Sequence, residues 1–209
     1  MARYGINSAN NYGVSISVLR VMGKKIGKNH GLAIELWNTG IHDAKLLATV
    51  IGEPNKLTEK QAEMMILDID SWDICDGLCS GLLRHTPFAY EKAIEWSSRE
   101  QEYEKRAAFS LMASLAVIDK KSPDSRFEDF LPIIENNSLD DRNYVKKAVN
   151  WALRSIGKRN SNLNVKAIAV GKRLIRSNST SARWVGRDAV KELESDAVKQ
   201  RLKKKNQTK

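Results

Sequence analysis

The chain has 209 residues, enough for one domain with a substantial buried core, and carries 35 Lys and Arg against 25 Asp and Glu, a formal charge of +10. No stretch is long and apolar enough to cross a membrane as a helix, and the opening Met-Ala-Arg-Tyr-Gly-Ile-Asn has no apolar run of the secretory kind. Two cysteines, Cys75 and Cys79, and three scattered histidines make neither a zinc framework nor a disulfide scaffold, so a reducing cytoplasmic compartment is expected.

Four prolines and twelve glycines punctuate the chain, and most segments between them run with helical period. Ser15 or Ser17 can cap a first helix carrying Val18, Leu19, Val21, Met22 and Ile26, stopped near Gly27. A short second helix spans 30–37, and a third spans 41–51, broken by Gly52 to Pro54. Thr58-Glu-Lys-Gln61 reads as a capping box that opens a fourth. The next begins near Ser71 and carries Leu78, Leu82 and Leu83; Pro87 fits the first turn of its successor, which ends near Trp96. Residues 101–119 form the clearest amphipathic segment, and 127–134 a shorter one. Asp140 or Asp141 caps a helix over 144–156, and segments 163–175, 182–193 and 197–202 complete about a dozen helices. Alternating β-branched runs are absent, so the expected class is all-α.

Short helices on short links suggest stacked antiparallel pairs, an α-α superhelix of HEAT-like helical pairs with a concave basic face. Ala44-Lys-Leu-Leu-Ala-Thr, Arg106-Ala-Ala-Phe-Ser-Leu-Met-Ala and Val145-Lys-Lys-Ala-Val-Asn-Trp-Ala-Leu recur with small and basic residues on one helix, at spacings of about 40–60 residues. A single domain over 1–202 is expected, with 203–209 a disordered basic tail.

The charge is uneven. Residues 1–140 hold 16 basic and 20 acidic side chains, whereas 141–209 hold 19 and 5. Such asymmetry suits a polyanion, because each neutralised phosphate releases a condensed counterion. Nucleic acid is the favoured partner and a membrane surface the weaker rival.

Ser71-Trp72-Asp73-Ile74-Cys75-Asp76 is the most informative stretch. On a helix Trp72 and Asp76 share a face, and an electron-rich ring beside a carboxylate receives positive charge. The plain alternative keeps Trp72 in the core and either aspartate as a cap. In Asn143–Arg154, Lys147, Trp151 and Arg154 form one stripe, with Lys146 and Asn150 beside it and Lys158 and Arg159 just beyond the helix. Core packing is the favoured reading for Trp151; for Arg154 a surface salt bridge competes with phosphate binding. Trp184 and Arg187 make a further aromatic and basic pair. Met22-Gly-Lys-Lys-Ile-Gly27 lacks the pattern of a phosphate loop and reads as a helix end.

Glu35-Leu-Trp-Asn, the Trp-Asp-x-x-Asp core, Lys105-Arg-Ala-Ala-Phe109 and the Tyr144–Arg154 helix together resemble the bacterial HEAT-like-repeat DNA alkylation repair family, the AlkD-like alkylpurine DNA glycosylases, over nearly the whole chain. The resemblance implies that Trp72 and Asp76 line a catalytic cleft and that Arg154 binds backbone phosphate. It also implies hydrolysis of the N-glycosidic bond of cationic N3- or N7-alkylpurines in duplex DNA, with the lesion left stacked. Lys147, Lys158, Arg159, Trp184 and Arg187 are the remaining candidate DNA contacts. No metal or other cofactor and no obligatory protein partner is expected; a monomer associated with the nucleoid is. Family members usually carry a further helical stretch before the segment resembling the first six residues, so this chain reads as short at its start, which bears on substrate range. A non-catalytic binder of damaged, bent or branched DNA and a helical scaffold for another protein are the alternatives.

Overall fold

The structure is a computed structural model that describes Ile6 and residues 9–207. Among these residues there is no strand. The chain divides into two compact units, Met1–Lys92 and Ala93–Lys209.

In the first unit α1 (Ile16–Ile26), α2 (His30–Asn38), α3 (His42–Ile51), α4 (Glu59–Leu67) and α5 (Trp72–Gly81) follow one another, with a short 3₁₀ turn at Leu83–His85 before α6 (Ala89–Trp96). Local chemistry sets these ends. Ser15 caps α1 by accepting from the Val18 amide, and Thr58 with Gln61 closes the expected capping box on α4. Leu82 and Leu83 fall outside α5, and Pro87 precedes α6 rather than starting it.

Lateral contacts fix how the helices run. His42 Nε2 lies 2.8 Å from Asp73 Oδ2, 31 residues on. One turn further along both helices, the Gly77 backbone sits against Leu46. Advancing four residues on α3 thus advances four on α5, so the two are parallel neighbours. His30 and Gln61, also 31 apart, join α2 to α4 in the same register. The unit is therefore two rows of parallel helices with one repeat length.

The second unit repeats the arrangement with a longer step. It contains α7 (Glu102–Ile118), α8 (Ser125–Glu128), α9 (Phe130–Asn137), α10 (Asn143–Gly157), α11 (Ser161–Ile175), α12 (Thr180–Leu193) and α13 (Asp196–Gln207). Asn150 donates to Asp188 at 2.6 Å and Arg154 to Glu192 at 2.5 Å, both across 38 residues, so α10 and α12 are parallel. Arg173 and Glu135, again 38 apart, give α11 and α9 the same register in the other row. Between α7 and α10 the step is longer still, 42 residues from Glu102 to Tyr144.

Burial follows this plan. Arg106–Ala116 of α7 is enclosed on every side, with Phe109, Leu111 and Met112 at its centre. Arg142, not Asp140 or Asp141, occupies the N-cap of α10; Asp140 instead accepts from the Arg142 amide and guanidinium. The expected disordered tail is corrected in part: Lys203–Lys205 lie in α13, which extends the amphipathic pattern past Leu202, and residues 208 and 209 lie outside the described chain.

Helices α11 and α12 cross where neither has a side chain. A Cβ on Gly186 would stand 2.5 Å from the Gly171 carbonyl oxygen and 2.9 Å from the Ile175 nitrogen, both backbone atoms that cannot step aside. Gly186→Ala is expected to cost about 1–3 kcal/mol, read as a lowered thermal midpoint. Gly31→Ala, whose Cβ meets nothing nearer than 3.8 Å, should leave it almost unchanged. Equal midpoints for the two variants would contradict the close crossing.

Candidate active site and basic surfaces

Trp72 is the first residue of α5 and Asp76 lies one turn later, both half-buried. They line one cavity of about 790 Å³ walled by α1, α3 and α5. Gly77 and Gly81 form part of its floor, letting α5 approach the Leu46 and Thr49 side of α3. The sequence-level pairing of indole and carboxylate on one face is therefore present, and Asp76 is not sealed in the interior.

Three carboxylates reach this cavity, and two of them hold the scaffold. Asp43 accepts from the Tyr12 and Val14 amides at 2.7 Å each, which pins the segment before α1 as a wall. Asp73 accepts from Ser71 Oγ at 2.7 Å and faces His42 at 2.8 Å. Neither is placed to serve a ligand without loosening the first unit. Asp76 is the third, lining the cavity one turn later on α5.

Arg84 and Arg20 also line the cavity, and the sequence reading passed over both. A signal existed for Arg84: Trp72, Asp76, Ser80 and Arg84 fall at intervals of four. Burial lowers the Arg84 pKa from its ordinary value, the sign of a guanidinium short of water. His85 is also lowered, first by burial and then by the Arg84 and Lys28 charges.

The second unit holds the other expected residues. Arg154 is ion-paired rather than open: Nη1 lies 2.5 Å from Glu192 and 3.6 Å from Asp188. Lys158 pairs with the same Glu192 at 2.5 Å. Two cations meet two carboxylates, so this group is neutral as a whole. Burial raises the Glu192 pKa, but hydrogen bonds and charge from Lys158 and Arg154 outweigh it and leave the carboxyl below its ordinary value. Arg159 donates to the carbonyls of Ala116 and Asp119 and stacks 3.6 Å from the Phe127 ring centroid. Trp151 is half-buried. Lys147 is exposed. Trp184 and Arg187 share a shallow pocket with Arg183 and Lys191, and Lys146 sits 5.4 Å over the exposed Trp184 ring.

The sequence model of the DNA alkylation repair enzyme family matches residues 1–193, and the chain belongs to that family. No curated protein matches it. Among solved structures it is similar to a protein of a new family related to the HEAT-like repeat DNA glycosylases with affinity for branched DNA structures. The two are 22% identical with a TM-score of 0.80, over 96% of this chain and 87% of that one. The fold is accordingly an all-α HEAT-like repeat.

Glu192 gives a pH test. Its folded-state pKa is lowered, so its contribution is present above the unfolded value of 4.5 and is lost as pH falls through the lower folded value. Glu192→Gln should destabilise the protein by about 1 kcal/mol or less at neutral pH, as for other partly exposed pairs. The gap from wild type should be smaller at an acidic pH below the lowered folded value, where both side chains are uncharged. Denaturant titrations at the two pH values measure it, and a gap of constant size would contradict the ion-paired geometry.

Proposed function

We propose that the protein is a DNA glycosylase that removes cationic N3- or N7-alkylpurines from duplex DNA, with Asp76 and Trp72 as its catalytic residues. The observation that carries this reading is the shared cavity, which an indole and a carboxylate four residues apart on α5 both line.

The chemistry follows from charge. An alkylated purine is already cationic and leaves readily, so the barrier lies in positive charge developing on the deoxyribose. A carboxylate placed against that sugar stabilises the charge. It also orients a water whose oxygen bonds to the sugar carbon as the bond to the base breaks, and takes up the proton that water releases. Trp72 covers the cationic nucleotide and excludes solvent, a contact worth about 0.5–2 kcal/mol. Arg84 and Arg20, on the same cavity, are assigned the phosphates that flank the lesion. This is the role that the resemblance gave to Arg154, whose charge is already matched by Glu192 and Asp188. On the second unit Lys147, Trp184 and Arg187 present the open cationic and aromatic surface for the duplex backbone, while Lys158 joins it only by leaving Glu192.

A non-catalytic binder of branched DNA is the second reading. The solved neighbour's description favours it, as does the neutralised Arg154 group. Base release separates the two. Wild-type protein should liberate 7-methylguanine or 3-methyladenine from alkylated duplex, identified by mass spectrometry. Asp76→Asn should lower the rate by about 10²–10³-fold, the cost of losing one transition-state electrostatic contact, with DNA affinity retained. Affinity for junctions without any base release would favour the second reading, and undiminished excision by Asp76→Asn would remove its assigned role.

A further inference from the structure

The C-terminal edge of the α7–α10 row gathers four cations from three segments. Arg159, just after α10, reaches the carbonyls of Ala116 and Asp119 at the end of α7. Lys120 folds back onto the Val117 carbonyl of the same helix end. Lys205 of α13 donates to the Lys158 and Arg159 carbonyls at 2.9 and 3.0 Å, which close α10. Arg201 stands one turn before Lys205 on α13 and is exposed. Arg201, Lys204 and Lys205 line a recess of about 520 Å³ whose remaining walls are Ala197 and Gln200.

Helix-end carbonyls explain part of this gathering, since cations are favoured at helix C-termini. They do not explain all of it. A lysine has three donors, so two carbonyl bonds leave one over on Lys205. Arg201 adds a charge that none of the helix-end contacts uses. Burial and then the charges of Arg159 and Arg201 lower the Lys120 pKa, with Asp119 alone acting upward. Burial and then Arg201, Lys120 and Arg159 lower that of Lys205, with no acidic group opposing them. The Asp119 carboxylate is itself engaged by the Lys121 and Ser122 amides and the Ser122 hydroxyl. The cluster thus holds like charges together at an electrostatic cost that an anion would remove. It differs in this from the Arg154 group, where each cation already has its carboxylate.

Taking the DNA-binding reading as its basis, we propose that Lys120, Arg159, Arg201 and Lys205 form a phosphate site for the DNA backbone. A phosphodiester offers two unesterified oxygens and one negative charge, which suits the forked guanidiniums and the leftover ammonium donors. Contact here positions the duplex and reads no base, so it serves undamaged and damaged DNA alike.

The test compares wild type with Arg201→Gln/Lys205→Gln, scored by duplex affinity at a series of salt concentrations. Loss of one or two phosphate contacts should weaken binding and flatten the log–log salt slope by about 0.9–1.8. Arg201→Gln alone, at an exposed position, keeps the test sound if loss of the Lys205 carbonyl bonds lowers stability. It should flatten the slope by about 0.9. Lys166→Gln/Lys172→Gln removes the same charge from α11, where each lysine has a glutamate partner, and should leave the slope near wild type. A folded Arg201 variant with wild-type affinity and slope would overturn the proposal, as would equal flattening by the α11 pair. Stabilisation of wild type by inorganic phosphate, lost in the variant while DNA binding stays unchanged, would assign the cluster to a free phosphate and overturn the backbone contact. Because affinity is read without base release, a protein that binds DNA but excises nothing still decides this question.

Discussion

Parallel alignment of neighbouring helices is the constraint from which most of the molecule follows. Helices that run the same way stack their dipoles side by side, leaving amide ends together at one edge of a row and carbonyl ends at the other. The side chains answer this within each unit. At the amide edge Asp43 and Asp73 stand in the first turns of α3 and α5, and Glu102 and Glu104 in the first turn of α7. At the carbonyl edge Lys28 donates to the Val50 and Gly52 carbonyls after α3, as Arg159 and Lys205 do for α7 and α10. Charges that look scattered along the sequence are thus sorted by helix polarity.

That sorting shows which charges build the scaffold. In the cavity of the first unit Asp43 and Asp73 answer to amides, a hydroxyl and a histidine. Arg154 and Lys158 sit in the seam between α10 and α12, where Glu192 and Asp188 cancel their charge. Lys45 shows the same logic in the core, buried at 4% exposure and matched by the Asp68 carboxylate at 2.8 Å and the Asp68 carbonyl at 2.9 Å. A cation count alone therefore overstates the basic surface that a polyanion would meet.

The sequence carried the helices and the pairing of Trp72 with Asp76, because both are local: period, caps and a spacing of four need no tertiary knowledge. Thr58 and Gln61 are a case where two side chains announce a helix start and the structure uses both. What was not legible depended on partners far along the chain. Nothing near Arg154 foretells Glu192, 38 residues on. The repeat step was equally hidden, since 31 residues from His42 to Asp73 and 38 from Asn150 to Asp188 are visible only once contacts reveal which helices are neighbours. Lys203–Lys205 misled for a different reason: a run of lysines resembles a solvated tail, yet Leu202 is buried and draws the helix onward.

The helix that carries Trp72 and Asp76 also carries both cysteines of the chain, each wholly enclosed. A thiolate is the softest nucleophile a protein offers to an electrophile, and it reacts only when a reagent can reach it. Sealed in this way, Cys75 and Cys79 are kept from the methylating agents that create damaged bases. They also turn α5 into its own clock: the pace at which a thiol reagent modifies them records how often this helix swings away from its row.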